Sequence, residues 1–358
     1  MGYFPKNAAG ICFVNASIDY NLVYPAHTEL VRYRRPDGNS RFQRRRACTR
    51  KLALSALHYG YLMRTQTSHL AMEEKMQNEQ PITHAVILLH GLCGSALEMG
   101  SIPKALRKNG CAVIELVIPD YSAGNVDAGI TPNWEDWCAV VESEISRLKV
   151  NFKTVSICGL SMGATLALAV ASRSNELIAI VALSPVLRYD GWSIPWYQHL
   201  MKIPFMLGYK NWSHKESDPF GIKNFDMRRR VANALKKDGV AAVGAAAIPA
   251  RQLHAAQKMM AYVRNSLKQV KTNILVIHAI DDETASPKNP ELILEHVSSE
   301  MRKVIWLGDC YHIITVDNER EIVTNETVHF LKKNIEMHVN DMSYRDLQNK
   351  SPLKDRRG

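Results

Sequence analysis

Three short stretches of this chain carry side chains whose types and spacing suit acyl transfer. The first is Gly159-Leu160-Ser161-Met162-Gly163. The apolar run Thr154-Val155-Ser156-Ile157-Cys158 leads into it, and a small-residue helical run from Ala164 to Ala171 leads out. Strand, sharp turn and helix with serine at the apex is the setting in which G-x-S-x-G presents a nucleophile. The turn strains the serine backbone, and the flanking glycines let strand and helix approach without a Cβ clash. A serine hydroxyl attacks only when a base takes its proton, and the base needs an orienting carboxylate. On such a scaffold the chain order is serine, acid, histidine. Asp281-Asp282-Glu283 follows the apolar run Ile274–His278, and His312 follows Lys303–Leu307. Of the 13 histidines, His254, His296 and His329 fall in helical patterns and His278 in or at the end of a strand, which makes His312 the expected base. For the acid, both Asp281 and Asp282 satisfy the order.

The oxyanion of a tetrahedral intermediate needs two preorganised backbone N–H groups, one after the nucleophile and one from the loop after an early strand. Met162 supplies the first. Leu92 is the expected second, within His90-Gly91-Leu92-Cys93-Gly94 directly after the apolar run Ala85–Leu89.

These loops require a framework, and the chain from His84 onward has its rhythm. Strands are predicted at Ala85–Leu89, Ala112–Ile118, Thr154–Cys158, Leu177–Leu183, Ile274–His278 and Lys303–Leu307. Helices are predicted over about residues 96–108, from Trp134 to Leu148 with Asn133 as cap, after Ser161, and over about 290–297 and 319–333. This alternation predicts an α/β fold, with a mostly parallel central sheet covered by helices on both faces. Residues 186–269 interrupt it. The stretch is too long for a plain connection and holds Trp192, Trp196, Tyr197, Phe205, Met206, Tyr209, Trp212 and Phe220. It reads as a mobile cap over the carboxyl ends of the strands, where ligands sit in open α/β sheets. Residues 1–80 read as a basic extension with a helix near 51–76, residues 81–337 as the main domain, and 338–358 as a charged tail.

Apolar residues make up 46% of the 358 and charged residues 22%, an ordinary balance for a globular protein with a substantial core. No apolar run is long enough to span a membrane, and the first residues carry no secretory signal pattern. Seven scattered cysteines without a C-x-x-C pair argue against a disulfide framework or a zinc site and for a cytoplasmic setting. The net charge of +10 is concentrated at the ends: residues 1–80 hold 12 Lys and Arg against 6 Asp and Glu. The run Arg41-Phe42-Gln43-Arg44-Arg45-Arg46 is its densest point. Such a segment suits solvent, an anionic acyl carrier or the surface of a membrane, the last making the protein peripheral. No nucleic-acid partner is expected.

Taken together, the loops resemble the α/β-hydrolase superfamily and, more narrowly, the small bacterial carboxylesterases and monoacylglycerol-lipase-like enzymes. The matching pieces are His90–Gly94, Gly159–Gly163, Asp282-Glu283-Thr284-Ala285-Ser286-Pro287 and His312-Ile313-Ile314-Thr315-Val316-Asp317. The family's Asp-Glu pair and later Pro select Asp282 over Asp281. The family usually has Gly where this chain has Tyr311. The resemblance covers roughly residues 82–335 and implies a helical cap like the insertion. It also implies hydrolysis of carboxylic esters through an acyl-serine, with Ser161, Asp282 and His312 as triad, Leu92 and Met162 as oxyanion donors, and neither cofactor nor metal. The aromatic insertion points to a hydrophobic acyl or alcohol group. A thioesterase or acyltransferase acting on a carrier-bound acyl group is the alternative, and a non-enzymatic receptor on the same fold is a third reading.

Overall fold

The structure is a computed structural model that describes residues 83–127, 129–195, 211–215, 218–238, 240–241, 244–245 and 247–350. The expected basic extension and its helix, the cap aromatics at 196–209 and residues 351–358 lie outside the described residues.

Six strands form one sheet: β1 (His84–Leu89), β2 (Ala112–Glu115), β3 (Thr154–Leu160), β4 (Ala179–Leu183), β9 (Asn273–Ala279) and β10 (Arg302–Leu307). Their order is β10-β9-β4-β3-β1-β2, and every pairing is parallel. The inner strands are mostly apolar, and β1, β3 and β4 are buried along their whole length. Such runs belong to strands covered on both sides. Alternate residues divide between the faces. Val86, Leu88, Cys158, Leu160, Val181, Leu183, Leu275 and Ile277 share a cluster with α1 (Ile102–Lys108) and α7 (Arg320–Lys350). The opposite side carries α2 (Trp134–Lys149) and α3 (Met162–Ala171), with α5 (Ala250–Ser266) packed on both. All ten residues of α3 are buried, as expected of a helix apolar all round and wedged between sheet and outer helices. The remaining helices are α4 (Phe225–Asp238) and α6 (Lys288–His296).

The strands and helices predicted from His84 onward are present, with several corrections. The single helix expected over 96–108 is two pieces, a 3₁₀ turn at Ala96–Met99 and then α1. Gly100 separates them at φ 55°, and a side chain there would run into the carbonyl of Thr315. The strand expected to reach Ile118 stops at Glu115, because the chain bends toward Pro119 and Ser122 Oγ takes the Ile118 amide at 2.8 Å. Asn133 precedes α2, but its side chain makes no capping bond. The tail expected from 338 is helical to Lys350. No glycine or proline interrupts residues 320–350, so nothing stops α7 before Pro352.

Within the insertion, β5 (Ser213–Lys215) pairs with β8 (Ala247–Pro249), and β6 (Val240–Ala241) with β7 (Gly244–Ala245). The insertion was expected to run to about 269, and its last part packs against the main body. Residues 250–266 form α5, whose buried Ala255, Ala256, Met259 and Val263 pack it into the helical layer beside α3.

Candidate active site

The serine sits where the parallel sheet turns into its most buried helix. Ser161 has φ 56° and ψ −118°, a left-handed backbone that non-glycine residues rarely hold without surrounding support. That support is visible. Its amide donates to Leu183 O at 2.8 Å, and α3 starts at the next residue. A side chain at Gly159 would collide with the carbonyl of Gly163, and one at Gly163 with the carbonyls of Leu89 and His90. Only glycine lets β1, β3 and α3 meet this closely.

His312 lies in the loop after β10, buried at 5% exposure. Its Nε2 is 2.8 Å from Ser161 Oγ and its Nδ1 is 2.8 Å from Asp282 Oδ2. With Nδ1–H facing the carboxylate, Nε2 is left to accept from the serine hydroxyl. Asp282, in the turn after β9, takes the amides of Thr284 and Ala285 on Oδ1, each at 2.8 Å. Burial pushes its carboxyl up. The charge and hydrogen bond of His312 outweigh that and hold it below the usual carboxylate range. Asp281, the alternative, points away: its side chain is half exposed and pairs with Lys223 Nζ at 3.1 Å.

Three further groups stand around this line. His278, fully buried at the end of β9, donates from Nε2 to Ala285 O at 2.9 Å and lies 3.7 Å from Asp282 Oδ2. Burial lowers its pKa, against the opposing pull of Asp282 and the Ala285 carbonyl. Glu283 takes the His312 amide at 3.0 Å, and burial raises its pKa to about 7. Asp317, with no exposed surface, accepts four backbone amides, from Lys223 and Tyr311 on Oδ2 and from Asn224 and Asn318 on Oδ1. It ties the histidine loop to the root of α4. Tyr311, which stands where the resembling family has Gly, is turned outward against Trp192, ring centroids 5.6 Å apart.

In the loop after β1, the amide of Cys93 donates to Tyr121 O at 2.8 Å and that of Gly94 to Gly91 O at 3.0 Å. His90 holds the base of the loop through Gly91 O and Ser122 Oγ, both at 2.8 Å. Among the described residues, the amides of Leu92 and Met162 make no hydrogen bond, and Met162 opens α3, where the helix end favours negative charge. The five expected site residues thus comprise three in one hydrogen-bonded line and two with uncommitted amides. Glu98, 2% exposed beneath the loop after β1, went unnoticed in the sequence because a lone acid in Ala-Leu-Glu-Met has no motif. Among the described residues no group of three His, Cys, Asp or Glu side chains is placed to hold a metal ion. None of their helices is long and apolar enough to cross a membrane.

Known proteins resemble this chain over its main domain. The chain is 24% identical over 248 residues to a thermostable monoacylglycerol lipase of a Bacillus species, covering 69% of this chain and 90% of that one. It is 22% identical over 252 residues to a carboxylesterase of Bacillus subtilis, covering 70% and 92%. A soluble variant of monoglyceride lipase from Saccharomyces cerevisiae, solved with a substrate analogue, superposes with a TM-score of 0.60 at 18% identity, over 72% of this chain and 88% of that one. The model of one family, described as serine aminopeptidase S33, matches residues 80–320, and the chain belongs to that family of α/β-hydrolases.

Proposed function

We propose that this chain hydrolyses carboxylic esters through an acyl-serine intermediate. The observation that carries the reading is the unbroken line Ser161 Oγ–His312 Nε2, His312 Nδ1–Asp282 Oδ2, with both links at 2.8 Å. In this reading Ser161 Oγ attacks the ester carbonyl as its proton passes to His312. Asp282 keeps the ring in the right tautomer and stabilises the imidazolium. The amides of Leu92 and Met162 receive the oxyanion, a contribution of about 3–4 kcal/mol per donor to the barrier. His312 returns the proton to the departing alcohol, and water repeats the sequence to release the acid. The relatives named for monoacylglycerols and carboxylic esters support substrates with a hydrophobic acyl group, as do the aromatic residues of the insertion.

Cys111, Cys138, Cys158 and Cys310 are buried free thiols, which supports a reducing, cytoplasmic setting. The basic stretch 1–80 supports docking on an anionic acyl carrier or membrane surface, and it favours carrier-bound thioesters as the second reading. The test is a panel of p-nitrophenyl esters from acetate to palmitate, acyl thioesters and an aminoacyl p-nitroanilide. Turnover of esters is expected, with Ser161→Ala lowering kcat at least about 1,000-fold and abolishing labelling by a fluorophosphonate. Silence across the ester series would overturn the reading.

A further inference from the structure

A free Leu92 amide is useful only if the loop after β1 holds it at one angle. Its neighbour provides the hold: the Gly91 amide donates to Glu98 Oε2 at 2.6 Å. The carboxyl lies close to the chemistry. A carbon placed at the Cβ position of Gly91 would be 3.0 Å from Glu98 Oε2 and 3.7 Å from Ser161 Cβ. The same carboxylate fills the space beside Gly94, where an added side chain would collide with it. So Glu98 packs against the underside of the whole Gly91–Gly94 turn.

Glu98 is itself anchored from the other side of the site. Its carbonyl accepts the hydroxyl of Thr315, three residues after His312. Nearby, Ser101 Oγ meets Thr324 Oγ1 of α7 at 2.8 Å. The loops after β1 and β10 are separated by three intervening strands in the sheet, and one residue grips both. Its side chain holds the loop of the oxyanion donor, and its backbone holds the loop of the base.

We infer that Glu98 is a positioning residue, a strut that fixes the Leu92 amide toward the oxyanion and keeps it in register with His312. The inference rests on the ester-hydrolase reading above. By occupying the Gly91 amide, the carboxyl stops the turn from rotating and carrying the Leu92 peptide with it. Its effect falls on the transition state, where the oxyanion exists, and not on the bound ester.

Full-length protein, p-nitrophenyl butyrate and an alkyl trifluoromethyl ketone, whose adduct with serine carries the oxyanion, provide the test. Glu98→Asp keeps the carboxyl but falls one methylene short of Gly91; Glu98→Gln keeps the reach and an accepting oxygen. Glu98→Asp and Glu98→Ala are expected to lower kcat about 30-fold with KM nearly unchanged, and to weaken ketone inhibition by the same factor. Glu98→Gln is expected to stay within about threefold of wild type in both readouts. The Asp and Gln pair decides the matter if Glu98→Ala does not fold. Loss of kcat without loss of ketone affinity would overturn the strut, as would Gln behaving like Asp or Asp behaving like wild type. A wild-type protein inert toward every ester overturns the hydrolase reading itself, whereas an active enzyme indifferent to Glu98 overturns only this inference.

Discussion

Two adjacent aspartates in one turn meet opposite fates because of where their oxygens find donors. Asp282 Oδ1 is spent on the amides of Thr284 and Ala285, which aims Oδ2 at His312. Asp281 faces solvent and Lys223. Asp282→Asn is therefore expected to lower kcat about 1,000-fold or more, and Asp281→Asn to leave it within about twofold, in p-nitrophenyl butyrate hydrolysis. Glu283 offers a second contrast. Its folded pKa of about 7 lies above the ordinary 4.5, so the native state holds the proton that the unfolded chain releases. Stability is greatest below the ordinary value, falls as pH rises between the two, and stays reduced above the upper one. Glu283→Gln, which keeps an acceptor for the His312 amide, should gain melting temperature relative to wild type on going from pH 5 to pH 8, read by calorimetry at each pH. The pairing of Ser161 with His312, our proposed nucleophile and base, was legible because chain order and the ends of apolar runs locate them. Chain order alone admits both aspartates as the acid, and Asp282 was selected only through the resemblance, because the choice rests on local turn geometry. Glu98 and its link to Thr315 span 217 residues, and no local pattern encodes such a contact.

At the level of elements, the site depends on a strand and a helix coming closer than side chains allow. Gly163→Ala would drive a methyl into the carbonyls of Leu89 and His90, at the end of β1 and the start of the loop with Leu92. The backbone must then move, at a cost of about 2–3 kcal/mol, with a parallel loss of kcat. A lower urea midpoint with unchanged slope would register the first effect and an ester assay the second. Strands and helices were readable here because β1, β3 and β4 are largely apolar and α2 repeats at helical spacing. Their ends were harder. Gly100 breaks a helix because of a carbonyl from residue 315, and α7 continues past 333 because nothing stops it.

For the whole molecule, the parallel sheet gathers loops that are far apart in sequence, and buried carboxylates fasten them. Asp317→Ala would leave four backbone amides without their acceptor and free the histidine loop from the root of α4. The expected cost is about 3 kcal/mol or more in stability, together with a fall in kcat, measured by urea denaturation and ester turnover. The inserted stretch was recognisable by length and aromatic content, while the return of α5 to the body was hidden, because an Ala-rich helix suits either place. One further consequence lies in the strand order. The imidazole hangs from the loop after β10, which among the described strands is outermost and joined to the rest through β9 alone. Peeling of that margin would silence turnover while the central ladder still gives its full far-ultraviolet ellipticity. In rising urea, catalysis should therefore fade first, making the ester assay a gauge of how firmly the rim of the sheet is sewn on.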